Sequence, residues 1–145
     1  MSQSRLNSLG LQGSKGAKDS KSNSVNVRDT YLKTFEFPIT LVAATTAQNT
    51  GIYAGSRAVQ VISAYLDITT AEATGTTKTI SVGIGAAGNN VLSGTSVAAT
   101  GAVGTPVEAA ITTTTANNQF TYTLASNDFA ELVATCVVTC LCQDA

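Results

Sequence analysis

No window of this sequence carries apolar residues at helical spacing over three turns, whereas from Thr34 onward they recur at every second position. In TFEFPITLVA (34–43) the alternation puts Phe35, Phe37, Ile39 and Leu41 on one face and Glu36 and Thr40 on the other. Pro38 cannot donate to a ladder, which predicts an edge position. TKTISVGIG sets Lys78, Ile80, Val82 and Ile84 against Thr77, Thr79, Ser81 and Gly83. Phe120, Tyr122 and Leu124 share a face of NQFTYTLA, and LVATCVVTCL closes the chain as a long strand. Between these two, SNDFAE is expected to form one helical turn, with Ser126 or Asn127 as its cap and Asp128 and Glu131 charging it. Six to eight short strands spaced by Gly, Asn and Thr turns predict an all-β fold. The expected architecture is an antiparallel β-sandwich or jelly-roll-like domain whose two sheets share a core about 10 Å thick.

The run AVQVISAYLDI is different, being apolar on both faces: Val59, Val61 and Tyr65 oppose Ile62, Leu66 and Ile68. An antiparallel sheet can leave one face wet. Two apolar faces therefore predict cover by a second sheet on one side and by a neighbouring molecule on the other. Charged residues make up 12% of the chain, against about 25% in an average soluble domain, which points the same way.

The 145 residues have room for one ordinary domain and a tail. The first 30 are rich in Ser, Gly, Asn and Lys, with Leu6, Leu9 and Leu11 as a small apolar group that cannot make an independent core. Six basic side chains against two acidic ones give the first 33 residues a charge of +4, whereas two basic against seven acidic give the remainder −5. The expected organisation is an extended basic N-terminal arm over residues 1–33 and a β-sandwich body over residues 34–145. Arg5, Leu6, Leu9, Leu11, Lys15, Lys18, Lys21 and Arg28 are the candidate partner-binding residues of that arm. No aromatic residue lies among the basic positions to stack a base, so an acidic protein surface is expected as partner and no specific nucleic acid. No signal peptide and no run of about 20 apolar residues is evident, so a cytosolic origin without membrane insertion is expected.

Three features invite a chemical function. SVGIGAAGNN holds Gly83, Gly85 and Gly88 in the spacing G-x-G-x-x-G, and Glu108 lies about 20 residues further on, as a dinucleotide site would require. Such glycines bind pyrophosphate only when they open a helix, and the continuation NNVLSGTSVAATGAVGTP has no helical period. A loop or bulge using glycine at positive φ is expected instead, with no cofactor. Cys136, Cys140 and Cys142 share one strand face with Leu132, Ala134 and Val138. Four residues span about 13 Å, beyond disulfide reach, and no His or other Cys completes a zinc site. They are expected to be small core residues. Catalysis lacks a histidine base, and Asp67, Glu72, Glu108, Asp128, Glu131 and Asp144 fall in no carboxylate motif, so no enzyme is expected.

VISAYLDITTAEATGTTKTISVGI (61–84), VLSGTSVAATGAV (91–103) and FTYTLASNDFAELVATCVV (120–138) resemble a group of small structural proteins of tailed bacteriophages that decorate or cement the capsid. The resemblance implies a β-sandwich that oligomerises on the outer face of the assembled shell, binds the major capsid protein and clamps adjacent coat subunits. It implies a place on the capsid surface of a virion assembled in the host cytoplasm. A homo-oligomer is expected, with a trimer favoured because capsid lattices offer threefold positions. Arm and body engaging different subunits at once would add avidity to a function that is binding alone. The alternatives are another virion structural protein, of neck, tail or fibre, or a carbohydrate-binding β-sandwich module. Against the last stands the scarcity of aromatic platforms, with four Tyr, four Phe and no Trp.

Overall fold

The computed structural model describes residues 30–73, 78–107 and 110–145. Among the described residues nine strands follow in chain order: β1 (Thr30–Pro38), β2 (Gln48–Tyr53), β3 (Ala58–Thr70), β4 (Thr79–Ile84), β5 (Leu92–Ser96), β6 (Gly101–Val103), β7 (Ala110–Thr112), β8 (Gln119–Leu124) and β9 (Val133–Gln143). One sheet has the order β1-β9-β3-β6 with β7 also paired to β3, and the other has the order β2-β8-β4-β5. The expected all-β sandwich of antiparallel sheets is therefore present. Its winding is simple: β4 pairs with β5, β3 with β6 and β7, β2 with β8, and β1 with β9. From β1 to β9 the strands form one long antiparallel ribbon, closed at the β4–β5 hairpin and rolled so that successive pairs alternate between sheets.

The edge strand beside β3 comes in two pieces for a local reason. Gly104 adopts φ +125°, and the chain then crosses to the other sheet, where Pro106 bridges Leu92 and the Val107 N–H donates to Val91 O at 2.9 Å. It returns to β3 at Ala110. This crossing ties the two sheets together at their β3 and β5 edges.

Alternation fills the space between the sheets. Phe35 and Phe37 of β1 pack on Phe120 of β8, with ring centroids 4.9 and 5.5 Å apart. Around them Leu66, Ile68, Ile80, Val82, Leu124 and Val138 are buried. Each contributes on the order of 1.5–3 kcal/mol by leaving water. The three cysteines are free and buried on the inward face of β9, as the spacing predicts. Pro38 ends an edge strand, also as expected.

Two expectations need correction. The first is the two-faced apolar character of β3. Its register on β9 passes from Val61↔Cys140 to Ser63↔Thr139, so Ile62 is an extra residue, a β-bulge. The inward positions are odd before it, Val59 and Val61, and even after it, Ala64, Leu66 and Ile68. One apolar face has changed frame, and of the large apolar side chains only Ile62 and Tyr65 are left off the core. The second is SNDFAE, which forms no helical turn. The N–H groups of Ala130, Glu131 and Leu132 are taken by the Glu72 carboxylate rather than by local carbonyls, so Asp128 and Glu131 charge no helix end. The stretch after the β4 turn, rich in Gly, Ser and Ala, contains the short strands β5 and β6, and an extra residue on β5 shifts its pairing with β4 from Ile80↔Thr95 to Val82↔Leu92. The first strand also begins at Thr30, four residues before the alternation becomes visible.

Candidate interaction surface

The outer face of β1, β9 and β3 follows from the positions the core does not use. On β9 these are Val133, Thr135, Val137, Thr139 and Leu141, and Gln60, Ser63, Tyr65 and Asp67 of β3 lie opposite Leu141, Thr139, Val137 and Thr135. On the other side, Thr34 Oγ1 is 3.0 Å from Thr139 Oγ1, and the Ile39 N–H donates to Ala134 O at 3.0 Å. This register sets Leu32 level with Leu141. Leu32 is 66% exposed, Ile62 and Val133 55% and Leu141 40%, so four large aliphatic side chains sit in water on one sheet face. Burying the area still exposed would contribute roughly half of the 1.5–3 kcal/mol of a complete burial for each, before ordering costs. Threonine hydroxyls separate them, and the charges that alternation places on this face of the three strands are acidic, Glu36 and Asp67. Such a face suits a protein surface that offers aliphatic and basic groups.

The G-x-G-x-x-G segment does what loop glycines do. It forms the three-residue 3-10 turn Gly85–Ala87, with Gly85 at φ +75° and Gly88 at φ +73°. A Cβ on Gly83 would lie 2.5 Å from the Gly88 backbone, so the chain can return across β4 only because Gly83 has none. Asn90 closes the loop by donating from Nδ2 to Ile84 O at 3.1 Å and accepting the Ile84 N–H at 2.7 Å.

A buried ion pair lies at the other end of β4. The Glu72 carboxylate, 3% exposed, accepts N–H bonds from Ala130, Glu131 and Leu132 at 3.0–3.2 Å and faces Lys78 Nζ at 3.3 Å. Lys78 also donates to Asp128 O at 2.8 Å and approaches its carboxylate at 3.4 Å. Burial raises the Glu72 pKa, but the hydrogen bonds from Glu131, Ala130, Lys78 and Leu132 outweigh it and hold the carboxyl below its ordinary value. The hydroxyl of Ser126 and the Lys78 charge lower Asp128 likewise. The Glu72 carboxylate and the Lys78 ammonium are thus fully engaged with structural partners, whereas the Asp128 side chain remains 70% exposed.

The eight candidate arm residues, Arg5, Leu6, Leu9, Leu11, Lys15, Lys18, Lys21 and Arg28, lie outside the described residues, as does Glu108. The exposed aliphatic face was missed although its signal was present: the odd positions of VATCVVTCLC alternate Val, Thr, Val, Thr and Leu. Among the described residues no helix is long and apolar enough to cross a membrane.

No family model matches the sequence, and no curated protein matches it. A chain of the cyanophage Pam1 capsid asymmetric unit is similar in structure, with a TM-score of 0.50 and 19% identity over 95% of this chain and 98% of that one. At that identity the likeness is one of fold.

Proposed function

We propose that this protein is a non-enzymatic structural component of a phage virion, a jelly-roll-like capsid decoration protein that binds the outer surface of the head and braces contacts between coat subunits. The observation that carries the proposal is the aliphatic and threonine face of β1, β9 and β3, with Leu32, Ile62, Val133 and Leu141 exposed. Polar solvent would be better met there by charged side chains, and a sheet face of this composition is suited to burial against another protein. The chain-wide fold likeness to a component of a phage capsid asymmetric unit supports the same reading. The arm, whose part ahead of β1 is residues 1–29, contributes a second attachment, the +3 charge and three leucines of that part engaging a different coat subunit from the body. A trimer is the expected oligomer, matching the threefold positions of a shell.

The test uses purified full-length protein and heads that lack it. Co-sedimentation should show saturable decoration, and Ile62→Asp and Leu141→Asp should each lower occupancy about tenfold or more, because a buried unpaired carboxylate is placed in the interface. Binding of both variants at the wild-type level would refute the assignment of this face. Retention on tails and absence from heads would refute the capsid location and make it a neck or tail component.

A further inference from the structure

The second sheet carries, on its own outer side, a cleft that the proposed head contact does not use. Asn49 of β2 is level with Thr121 of β8, and Thr121 is level with Gly83 of β4. Phe120 and Tyr122 turn into the core, so alternation directs this row outward. Thr121 is nevertheless only 6% exposed. The cause lies in the glycines: the Gly88 backbone rests against Gly83, and Gly85 lies against the Asn117 side chain, where a Cβ would come within 2.8 Å of Asn117 Oδ1. Together they border an open cleft of about 350 Å³ whose lining includes Asn49, Gly85, Ala86, Asn117, Gln119 and Thr121. That size is at the lower end of small-molecule sites, roughly 300–1,000 Å³.

The lining is polar and carries no charge. Thr121 Oγ1 is buried without a hydrogen-bond partner, and buried hydroxyls are ordinarily paired. Gln119 is already committed, accepting the Gly51 N–H on Oε1 at 3.0 Å and donating from Nε2 to Tyr53 Oη at 3.2 Å. That second bond holds the tyrosine, 56% exposed, beside the cleft. Asn49 and Asn117 present exposed amides. A carboxamide offers a donor and an acceptor side by side, as do two neighbouring hydroxyls of a sugar, and a tyrosine ring can cover the sugar's C–H face. A phosphate, carboxylate or ammonium ligand would find no counter-charge here.

We propose that the cleft formed by Asn49, Thr121, Asn117 and the turn at residues 83–88, beside Tyr53, binds a neutral saccharide. The G-x-G-x-x-G segment is then one wall of a sugar site, and a decoration protein bearing it could hold a virion to a glycan-coated surface.

Full-length protein is titrated with glucose, galactose, mannose, N-acetylglucosamine and their short oligomers, and binding is followed by calorimetry and by NMR shifts; sialylated and sulfated glycans serve as charged comparisons. At least one neutral saccharide should bind, and Thr121→Val and Asn49→Ala should each weaken it about tenfold, the loss expected when one good hydrogen bond is removed. Thr139→Val, on the opposite sheet, should bind it as wild type does. Asn49 is exposed on an edge strand, so Asn49→Ala decides the matter if Thr121→Val fails to fold. Absence of neutral-saccharide binding, binding of charged glycans alone, or binding indifferent to both variants would overturn the proposal. Head binding is measured on the same samples: both cleft variants should decorate heads normally, and Ile62→Asp should retain the saccharide, so each reading fails by its own measurement.

Discussion

Glu72→Gln should remove a large share of the stability of this fold although the side chain barely changes shape. The carboxylate is the acceptor for three consecutive backbone N–H groups, of Ala130, Glu131 and Leu132, in a segment that has no ladder or helix to satisfy them. Gln keeps one oxygen, replaces the other with an NH₂ that faces donors, and leaves Lys78 with Asp128 alone. Hydrogen bonds to a charged group contribute about 1.5–3 kcal/mol each, and breaking a buried ion pair costs about 3–5 kcal/mol. Asp128, with a side chain 70% exposed, still compensates Lys78 in part, so about 3 kcal/mol is expected for the substitution. Lys78→Met should cost less, since the carboxylate retains its three backbone donors.

Urea unfolding followed by tyrosine fluorescence and near-ultraviolet circular dichroism measures both variants. With a slope of about 2 kcal/mol/M, the Glu72→Gln midpoint should fall by roughly 1.5 M at unchanged slope. A loss below about 0.5 kcal/mol would refute the role given to the carboxylate. The pH dependence has a defined sign. The folded-state pKa of Glu72 is depressed below 4.5, so its contribution is fully present above the unfolded value and is lost as pH falls through the folded one. The stability gap between wild type and Glu72→Gln should be constant near neutrality and shrink below about pH 4.5. A gap that widened with acid would contradict the hydrogen-bond account.

Gly83→Ala should destabilise by about 1–3 kcal/mol or more, because the added Cβ meets the Gly88 backbone, whereas Gly51→Ala, at φ +75° with open space around it, should cost only the left-handed conformation, roughly 1–2 kcal/mol; a smaller loss at Gly83 than at Gly51 in thermal melts would refute this. The three cysteines should resist thiol reagents in the native protein and react after unfolding. Burial pushes Cys136 up to about 12, and although the hydrogen bond from Cys140 lowers Cys142 to about 7, its sulfur has no path to solvent, so rapid native labelling at pH 8 would contradict the packing. Deleting residues 2–29, which stops short of β1, should move the thermal midpoint by no more than about 4 °C yet strongly reduce head occupancy, and added salt should weaken the full chain more than the truncated one. Equal decoration by the two proteins would reduce the arm to a solvated tail.

How far the sequence could be read depended on the distance over which each feature is decided. Strand faces are decided by every second residue, so the inward sets of β4, β8 and the cysteine-bearing β9 were legible. The Glu72 site was not, because its partners are backbone N–H groups 58 to 60 residues away, which leave no side-chain motif. The Ile62 bulge is an intermediate case: the three-residue step from Val61 to Ala64 is visible in AVQVISAYLDI, but only pairing with β9 shows which residue is extra. That correction bears on assembly. A strand apolar on both faces would have centred a neighbour's contact on β3. With the bulge, β3 offers Ile62 and the half-buried Tyr65, while β9 supplies Val133, Val137 and Leu141, and β1 adds Leu32. Because β9 lies between β1 and β3, the exposed aliphatic residues converge on it from both sides. The contact is therefore expected to be centred on the last strand of the chain, with Leu141 weighing more than Tyr65.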